Sequence, residues 1–273
     1  VNEDTWQPWP SDPTVRVHRR AELAVDALYI GPDSVIGPDV VIEGRRVRIG
    51  REAWLDRGAY IGGGSCHDPW AELQVGDWLH MGRHSHINIA RPVMIGHEFG
   101  CGIETKVFAH GAYLAATDGF PVQFGGVTIG DRVWLPNAWV NPGVTIGSDV
   151  VVAARSLVNR DLPAHCLAGG IPAKVLRENC YPRALTYAET RRILQQVLYE
   201  ALAIHGHEVA CSIGEHAGEA IIKAEHTLFM IGQRVISGPA SPFSAVLKNQ
   251  LRRYGIRFRY AAVDGQWQPW SET

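Results

Sequence analysis

Aliphatic side chains recur at a spacing of six through the first two-thirds of the chain. They run Ile30, Ile36, Ile42; Ile49, Leu55, Ile61; Val75, Met81, Ile87, Val93; Ile95, Cys101, Val107; Ile129, Leu135; and Val140, Ile146, Val152, Val158. Many stand before a glycine, as in Ile30-Gly31, Ile36-Gly37, Ile95-Gly96 and Ile146-Gly147. A step of six carries a helix of 3.6 residues per turn well away from its starting face, so this is no amphipathic helix. It suits a short strand followed by a sharp corner, with one aliphatic side chain pointing inward per flat face. Gly-Pro-Asp at 31–33 and 37–39 has corner chemistry, as does Gly147-Ser148-Asp149. Three flat faces close a triangular circuit, and stacked circuits bury one continuous core. Sandwiches and barrels of antiparallel strands set their turn signals roughly 8–12 residues apart, too long for this rhythm. The expected fold class is a β solenoid.

The rhythm vanishes near residue 179. Residues 184–205 then predict a helix, with Leu185, Ile193, Leu194, Val197, Leu198, Ala201 and Leu202 on one apolar face. Residues 206–224, rich in Gly, His and Glu, predict loop and short helix. A strand or strand pair is expected over Thr227–Ile236, a helix over Pro242–Tyr254 and a strand over Ile256–Ala261. Three parts follow: an N-terminal segment at 1–27, the solenoid at 28–178, and a small α/β cap at 179–273. Trp-Gln-Pro-Trp occurs at 6–9 and again at 267–270.

Composition narrows the partners. The 273 residues are 46% hydrophobic and 20% charged, with a net charge of −2, so no global basic field draws the chain to nucleic acid or to a membrane. The five cysteines (Cys66, Cys101, Cys166, Cys180 and Cys211) are scattered and form no CxxC, which favours reduced thiols over a disulfide frame or structural zinc. No apolar run reaches the roughly 18 residues of a membrane helix, and no leader pattern opens the chain. A cytoplasmic protein is expected.

Ile129 to Arg177 reads IGDRVWLPNAWVNPGVTIGSDVVVAARSLVNRDLPAHCLAGGIPAKVLR. This resembles the hexapeptide-repeat acetyltransferases, whose pattern runs IGDxVWIGxGVxIxPGVxIGxxxVIxAGSVVxxDxPxxxxxxGxPAKxxR. With the earlier repeats the resemblance covers about residues 28–178, and it is nearest the sugar and xenobiotic O-acetyltransferases. It implies a left-handed parallel β-helix, acetyl-CoA as acyl donor, no metal, and a homotrimer with its active sites between neighbouring subunits. The acceptor it implies is a sugar, nucleotide sugar or similar small molecule, acylated at a hydroxyl or amino group. Three departures stand out. Leu135-Pro136-Asn137-Ala138-Trp139 is one residue short, Arg155 replaces the glycine of AGS, and the cap has no counterpart in the minimal pattern.

Acyl transfer from a thioester needs a base for the acceptor's proton and donors for the developing oxyanion. The family places a histidine where the regular coil breaks into a loop, before IGDxVW. His110 is the one histidine of VFAHGAYLAATDGFPVQFGGVTIG and is expected to be that base. By the same resemblance Trp134, the backbone at Ala153 and Ala154, and the cations Arg160, Lys174 and Arg177 are expected to bind coenzyme A. Arginine and lysine suit its phosphates. Asn88 resembles an acceptor-binding asparagine, with a corner asparagine as the alternative. His84 and His86 either line the acceptor pocket or decorate the surface. Two rivals remain at this point: a γ-class carbonic anhydrase, whose zinc needs three converging histidines, and a non-catalytic trimeric scaffold. The cap is expected to shape the acceptor pocket or the assembly.

Overall fold

The computed structural model describes residues 6–269 and divides into two compact units, Val1–Arg183 and Ala184–Thr273. In the first unit the repeated aliphatics form three parallel ladders that the chain visits in rotation. One ladder joins Asp12–His18, Val35–Ile36, Trp54–Leu55, His80–Met81, Gly100–Cys101, Trp134–Leu135, Val151–Val152 and Leu167–Gly170. A second joins the start of Val41–Ile49 to Tyr60–Gly62, His86–Asn88, Lys106–Val107, Ala138–Val140 and Ser156–Val158. The third joins the end of Val41–Ile49 to Glu72–Val75, Val93–Ile95, Val127–Ile129 and Thr145–Ile146.

The residues spaced by six are the inward ones. Ile36, Leu55, Met81, Cys101 and Leu135 stack up the first ladder, and Ile49, Val75, Ile95, Ile129 and Ile146 up the third, all inside one core. Glycine corners allow the circuits to close on each other. A Cβ on Gly102 would lie 2.0 Å from the Pro136 carbonyl oxygen in the next circuit, so a side chain there would push two circuits apart.

The ladders begin inside residues 1–27, which the sequence set apart. Asp12–His18 pairs with Val35–Ile36, and Glu22–Ile30 pairs along the whole length of Val41–Ile49. These long strands alternate inward and outward residues instead of turning every six, so the repeat hides them. Val15 and Val17 are nonetheless fully buried.

Rhythm and register break at one corner above all. Between second-ladder and third-ladder strands the chain takes a long path at residues 63–71, a shorter one at 89–92, and the longest at 108–126. Because the strands on either side pair in register, these three excursions leave from the same side of the ladders. That edge carries His110.

The second unit is built differently. Helix α1, Tyr187–His205, starts at a capping box in which Thr186 accepts from the Glu189 N–H, and helix α2, Pro242–Arg253, starts at Ser241 in the same way. A six-stranded antiparallel sheet carries Cys211–His216, Glu219–Ala224, Thr227–Met230, Val235–Pro239, Gln266–Pro269 and Tyr260–Val263 in that order. Two expectations are corrected here. Residues 211–224, part of the stretch expected as loop and short helix, form a hairpin, because Ala220, Ile222 and Ala224 alternate into the core while Ile221 and Lys223 face the other way. The strand expected at Ile256–Ala261 starts later, at Tyr260, after Phe258 has entered the core. The two Trp-Gln-Pro-Trp segments pair within their own units, Trp6–Trp9 with Asp12–His18 and Gln266–Pro269 with Tyr260–Val263; Trp270 lies outside the described residues. No described helix is long and apolar enough to cross a membrane.

Candidate active site

His110 opens the longest excursion, in the strand His110–Gly111, and Gln123–Phe124 returns antiparallel to it. Two further bonds pin the base of this hairpin, Gly125 N–H to the Ala109 carbonyl at 3.0 Å and the Gln123 amide to the Pro142 carbonyl at 2.9 Å. The imidazole stacks on Phe124, with ring centroids 5.7 Å apart.

Asn88, at the end of the second-ladder strand one circuit earlier, fixes the orientation of that ring. Its Nδ2 donates to the Gly62 carbonyl at 3.2 Å, which sets the amide with Oδ1 toward His110. The same Oδ1 accepts from the N–H groups of Ala90 and Ala109 at 3.2 and 3.4 Å, so it is an acceptor beyond ambiguity. It lies 3.0 Å from His110 Nδ1. Nδ1 must then carry the proton, and Nε2 keeps the lone pair. Nε2 faces Gly64, where even a Cβ would approach to 3.3 Å.

The facing loop is anchored in place. Arg45 donates from its backbone to the Cys66 carbonyl at 2.8 Å and from its guanidinium to the Pro69 carbonyl. Tyr60 donates to the Glu43 carboxylate, which also accepts from Gly63 N–H at 3.4 Å. Burial, then the Glu43 carboxylate, pushes the Tyr60 hydroxyl up to about 12, so it stays a donor. Gly63 sits at φ +99°, and a Cβ on it would lie 2.4 Å from Asn88 Nδ2. Only glycine lets the loop pass this close to Asn88.

Asn88, expected either to meet an acceptor or to sit at a corner, is 2% exposed, and its amide bonds protein groups, His110 among them. His84 and His86 lie in different surroundings. His84 sits at a corner with φ +55°, its ring against Gly58, while His86 lies in the strand and stacks on Tyr60 at 4.6 Å. Burial pushes His86 down to about 4; the charges of Lys106 and His110 add to this, and a contact with the Gly62 backbone opposes it. Its Nε2 is buried without a hydrogen-bond partner.

The residues expected at coenzyme A lie on the later circuits of the ladders. Trp134 projects from the first ladder over Gly100, not from the edge that carries His110. The Ala153 N–H donates to the Ala168 carbonyl at 2.8 Å and its carbonyl accepts from the Ser156 hydroxyl; Ala154 is exposed. Arg160, Lys174 and Arg177 are all exposed, the last two on the strand Ala173–Arg177 that closes the first ladder. A cavity of about 400 Å³ lies on the second ladder, lined by Asn137, Trp139, Arg155, Ser156, Leu157 and Ile171. Trp139 and Leu157 pair in register to form its floor, and Trp139 meets Phe108 edge-on at 5.9 Å. Sequence reasoning marked Arg155 as a departure from the family pattern but missed Trp139. The signal was there: its neighbours Ala138 and Val140 are inward residues, so alternation sends Trp139 outward. Among the described residues no group of three or more His, Cys, Asp or Glu side chains is arranged to hold a metal ion.

No protein-family model matches the chain. Galactoside O-acetyltransferase of Escherichia coli (strain K12) is 30% identical over 131 residues, which cover 44% of this chain and 64% of that protein. Chloramphenicol acetyltransferase of Klebsiella aerogenes is 38% identical over 68 residues, 24% of this chain and 32% of that protein. The chain thus spans less than two thirds of either relative. A hexapeptide-repeat acetyltransferase of Vibrio cholerae, solved with acetyl-CoA, is 26% identical with a TM-score of 0.35, over 55% of this chain and 69% of that one. The hexapeptides and the long motif from Ile129 to Arg177 fall in the part of the chain that is similar to these curated acetyltransferases, and the ladder-forming unit resembles the hexapeptide-repeat acetyltransferases.

Proposed function

We propose that the first unit is a left-handed parallel β-helix that works as a homotrimeric acyltransferase. It would move the acetyl group of acetyl-CoA to a hydroxyl or amino group of a sugar-like acceptor, with His110 as general base. One observation carries the reading: Asn88 holds the His110 imidazole as its Nδ1–H tautomer and leaves Nε2 basic, pointing at the open Gly64 side.

In this mechanism Nε2 removes the acceptor's proton as the acceptor oxygen or nitrogen attacks the thioester carbonyl carbon. The tetrahedral intermediate collapses with cleavage of the C–S bond. The departing thiolate takes the proton back from Nε2, which regenerates the imidazole and releases coenzyme A. Asn88 Oδ1 accepts the Nδ1 proton throughout and so stabilises the transient imidazolium. The cavity over Trp139 and Leu157 suits the apolar stretches of the pantetheine arm, and Arg155, Arg160, Lys174 and Arg177 suit its phosphates.

Acetyl-CoA turnover with a sugar panel tests the assignment. Transfer in the wild type that disappears in His110→Ala, with coenzyme A still bound, is the expected result. Transfer that persists in the variant refutes it.

A further inference from the structure

Arg91 occupies an unusual place on the same edge. Its guanidinium carbon lies 4.7 Å from the Trp70 ring centroid and 4.4 Å from that of Phe124, so an aromatic ring packs near it from each neighbouring excursion. Phe124 is also the ring that stacks on His110, which makes Arg91 and the proposed base neighbours across one side chain. Arg91 is half-buried, and no carboxylate among the described residues pairs with it. Its Nη1 donates to its neighbour's carbonyl, Ala90 O, at 2.6 Å. The remaining N–H donors of the fork have no protein acceptor assigned to them.

Such an arrangement is costly to keep empty. Cation–π contacts hold the guanidinium in place but leave its charge uncompensated, while its rigid planar fork matches the paired oxygens of a carboxylate or phosphate. Trp70 and Phe124 are both largely exposed at this edge, so the site opens outward. The loop bearing Trp70 is fixed through Arg45, and the strand bearing Phe124 through the His110 hairpin, so the three side chains are held by structure that exists without a ligand.

We infer that Arg91, between Trp70 and Phe124, is an anion-recognising acceptor subsite, and that the acceptor is a sugar carrying a carboxylate or phosphate group. The inference rests on the proposed transfer reaction for its orientation: the anionic group sits on the guanidinium edge while the hydroxyl or amino group reaches His110 Nε2. Coenzyme A is a poor occupant, because its phosphates lie at the far end of the pantetheine arm from the reacting thioester.

The test compares glucose, glucuronate and glucose 1-phosphate as acceptors with the whole chain, in wild type, Arg91→Gln and Arg91→Lys. Wild type should favour at least one anionic sugar over glucose by about 10–100-fold in kcat/KM, carried by KM, as expected for a charge-assisted pair. Preference for glucuronate assigns a carboxylate, and preference for glucose 1-phosphate a phosphate. Arg91→Gln should erase the preference. Arg91→Lys, which keeps the charge without the fork, should restore part of it and covers the case in which Arg91→Gln misfolds. Equal use of the three sugars by wild type overturns the subsite, as does a preference that survives Arg91→Gln or a change confined to the KM of acetyl-CoA. If no sugar is acetylated, calorimetric titration with the same three separates the ideas. Anion binding lost in Arg91→Gln upholds the subsite and refutes the transfer reaction; no anion binding at millimolar concentration refutes the subsite.

Discussion

Ile42, Ile61, Ile87, Val107, Val140 and Val158 stand on one another up the second ladder, each in register with the next and each fully buried. In the C-terminal unit no residue repeats its neighbour's surroundings. Phe229 on the sheet meets Phe258 edge-on at 5.6 Å, Leu194 and Val197 come from α1, and Phe243, Leu247 and Leu251 from α2. A stacked circuit demands the same small set of residues at every level, so a ladder has little room for chemistry within its own faces. Chemistry enters where the circuit is interrupted. His110, Asn88, Arg91 and Trp70 all sit on or beside the three excursions at one edge.

The strongest way to break this comparison is at His110. Replacing it with alanine should lower kcat by about 10²–10⁴, the usual cost of losing a general base. The melting temperature should hardly move, because the half-buried imidazole caps an excursion and not a ladder. If kcat stays within about threefold of wild type, well short of that range, the edge is not where the reaction happens.

The opposite perturbation belongs in the other unit. Phe229→Ala empties a fully buried position against Phe258 and should cost about 3–5 kcal/mol of that unit's stability. Activity per folded molecule should persist, since the His110–Asn88 and Arg91 contacts are made entirely by residues 60–125. Denaturant unfolding followed alongside turnover reads both. Turnover that falls before the chain unfolds would show that the C-terminal unit takes part in the reaction, as the sequence had led us to expect of the cap.

How much of this was legible beforehand follows the same division. In the middle circuits the aliphatic residues in the spacing of six proved to be inward ones, since a forced environment leaves a forced pattern. The long strands Glu22–Ile30 and Val41–Ile49 escaped because they run straight past a corner and alternate instead. In the C-terminal unit the hairpin at 211–224 was missed: its glycines and glutamates look like loop, and only pairing with Thr227–Met230 makes them a sheet. His110 was visible through its place before IGDRVW. The bonding of Asn88 was not, because it depends on Gly62, Ala90 and Ala109 converging on one amide, and sequence order does not show convergence. Arg91 with Trp70 and Phe124 was hidden for the same reason.

A third prediction sharpens the edge itself. Asn88→Ala removes the acceptor that holds the Nδ1 proton of His110 and leaves the N–H groups of Ala90 and Ala109 short of a partner. The imidazole is then free to adopt the other tautomer, with the proton on Nε2, where it cannot act as a base. The loss of a hydrogen bond to a group that becomes charged in the reaction should cost kcat about 10–100-fold. KM for the acceptor should change little, since Asn88 is buried away from the open side. A large rise in acceptor KM at constant kcat would instead make Asn88 a binding residue, as the family resemblance had implied.

The smallest effect expected concerns His86, which lies on the second ladder beside the edge yet behaves as part of the packing. Its ring stacks on Tyr60 and meets Phe108 edge-on, and burial, together with the charges of Lys106 and His110, holds it at about 4 in the folded protein. The unfolded chain would take up this proton near pH 6.5. As pH falls below 6.5 the unfolded state therefore binds a proton that the folded state refuses, and stability drops until the folded ring also titrates near 4. Well above pH 6.5 His86 contributes no pH dependence. Between pH 7 and 5.5 the loss from this one residue should be about 1 kcal/mol. His86→Phe keeps the stacked ring and removes the proton site, so the difference between variant and wild-type urea midpoints isolates the His86 contribution from the other histidines. The variant should lose less stability than wild type over that interval. Parallel pH profiles for the two proteins would show that His86 titrates normally when folded, and that the second ladder beside the site is open to water and not packed as described.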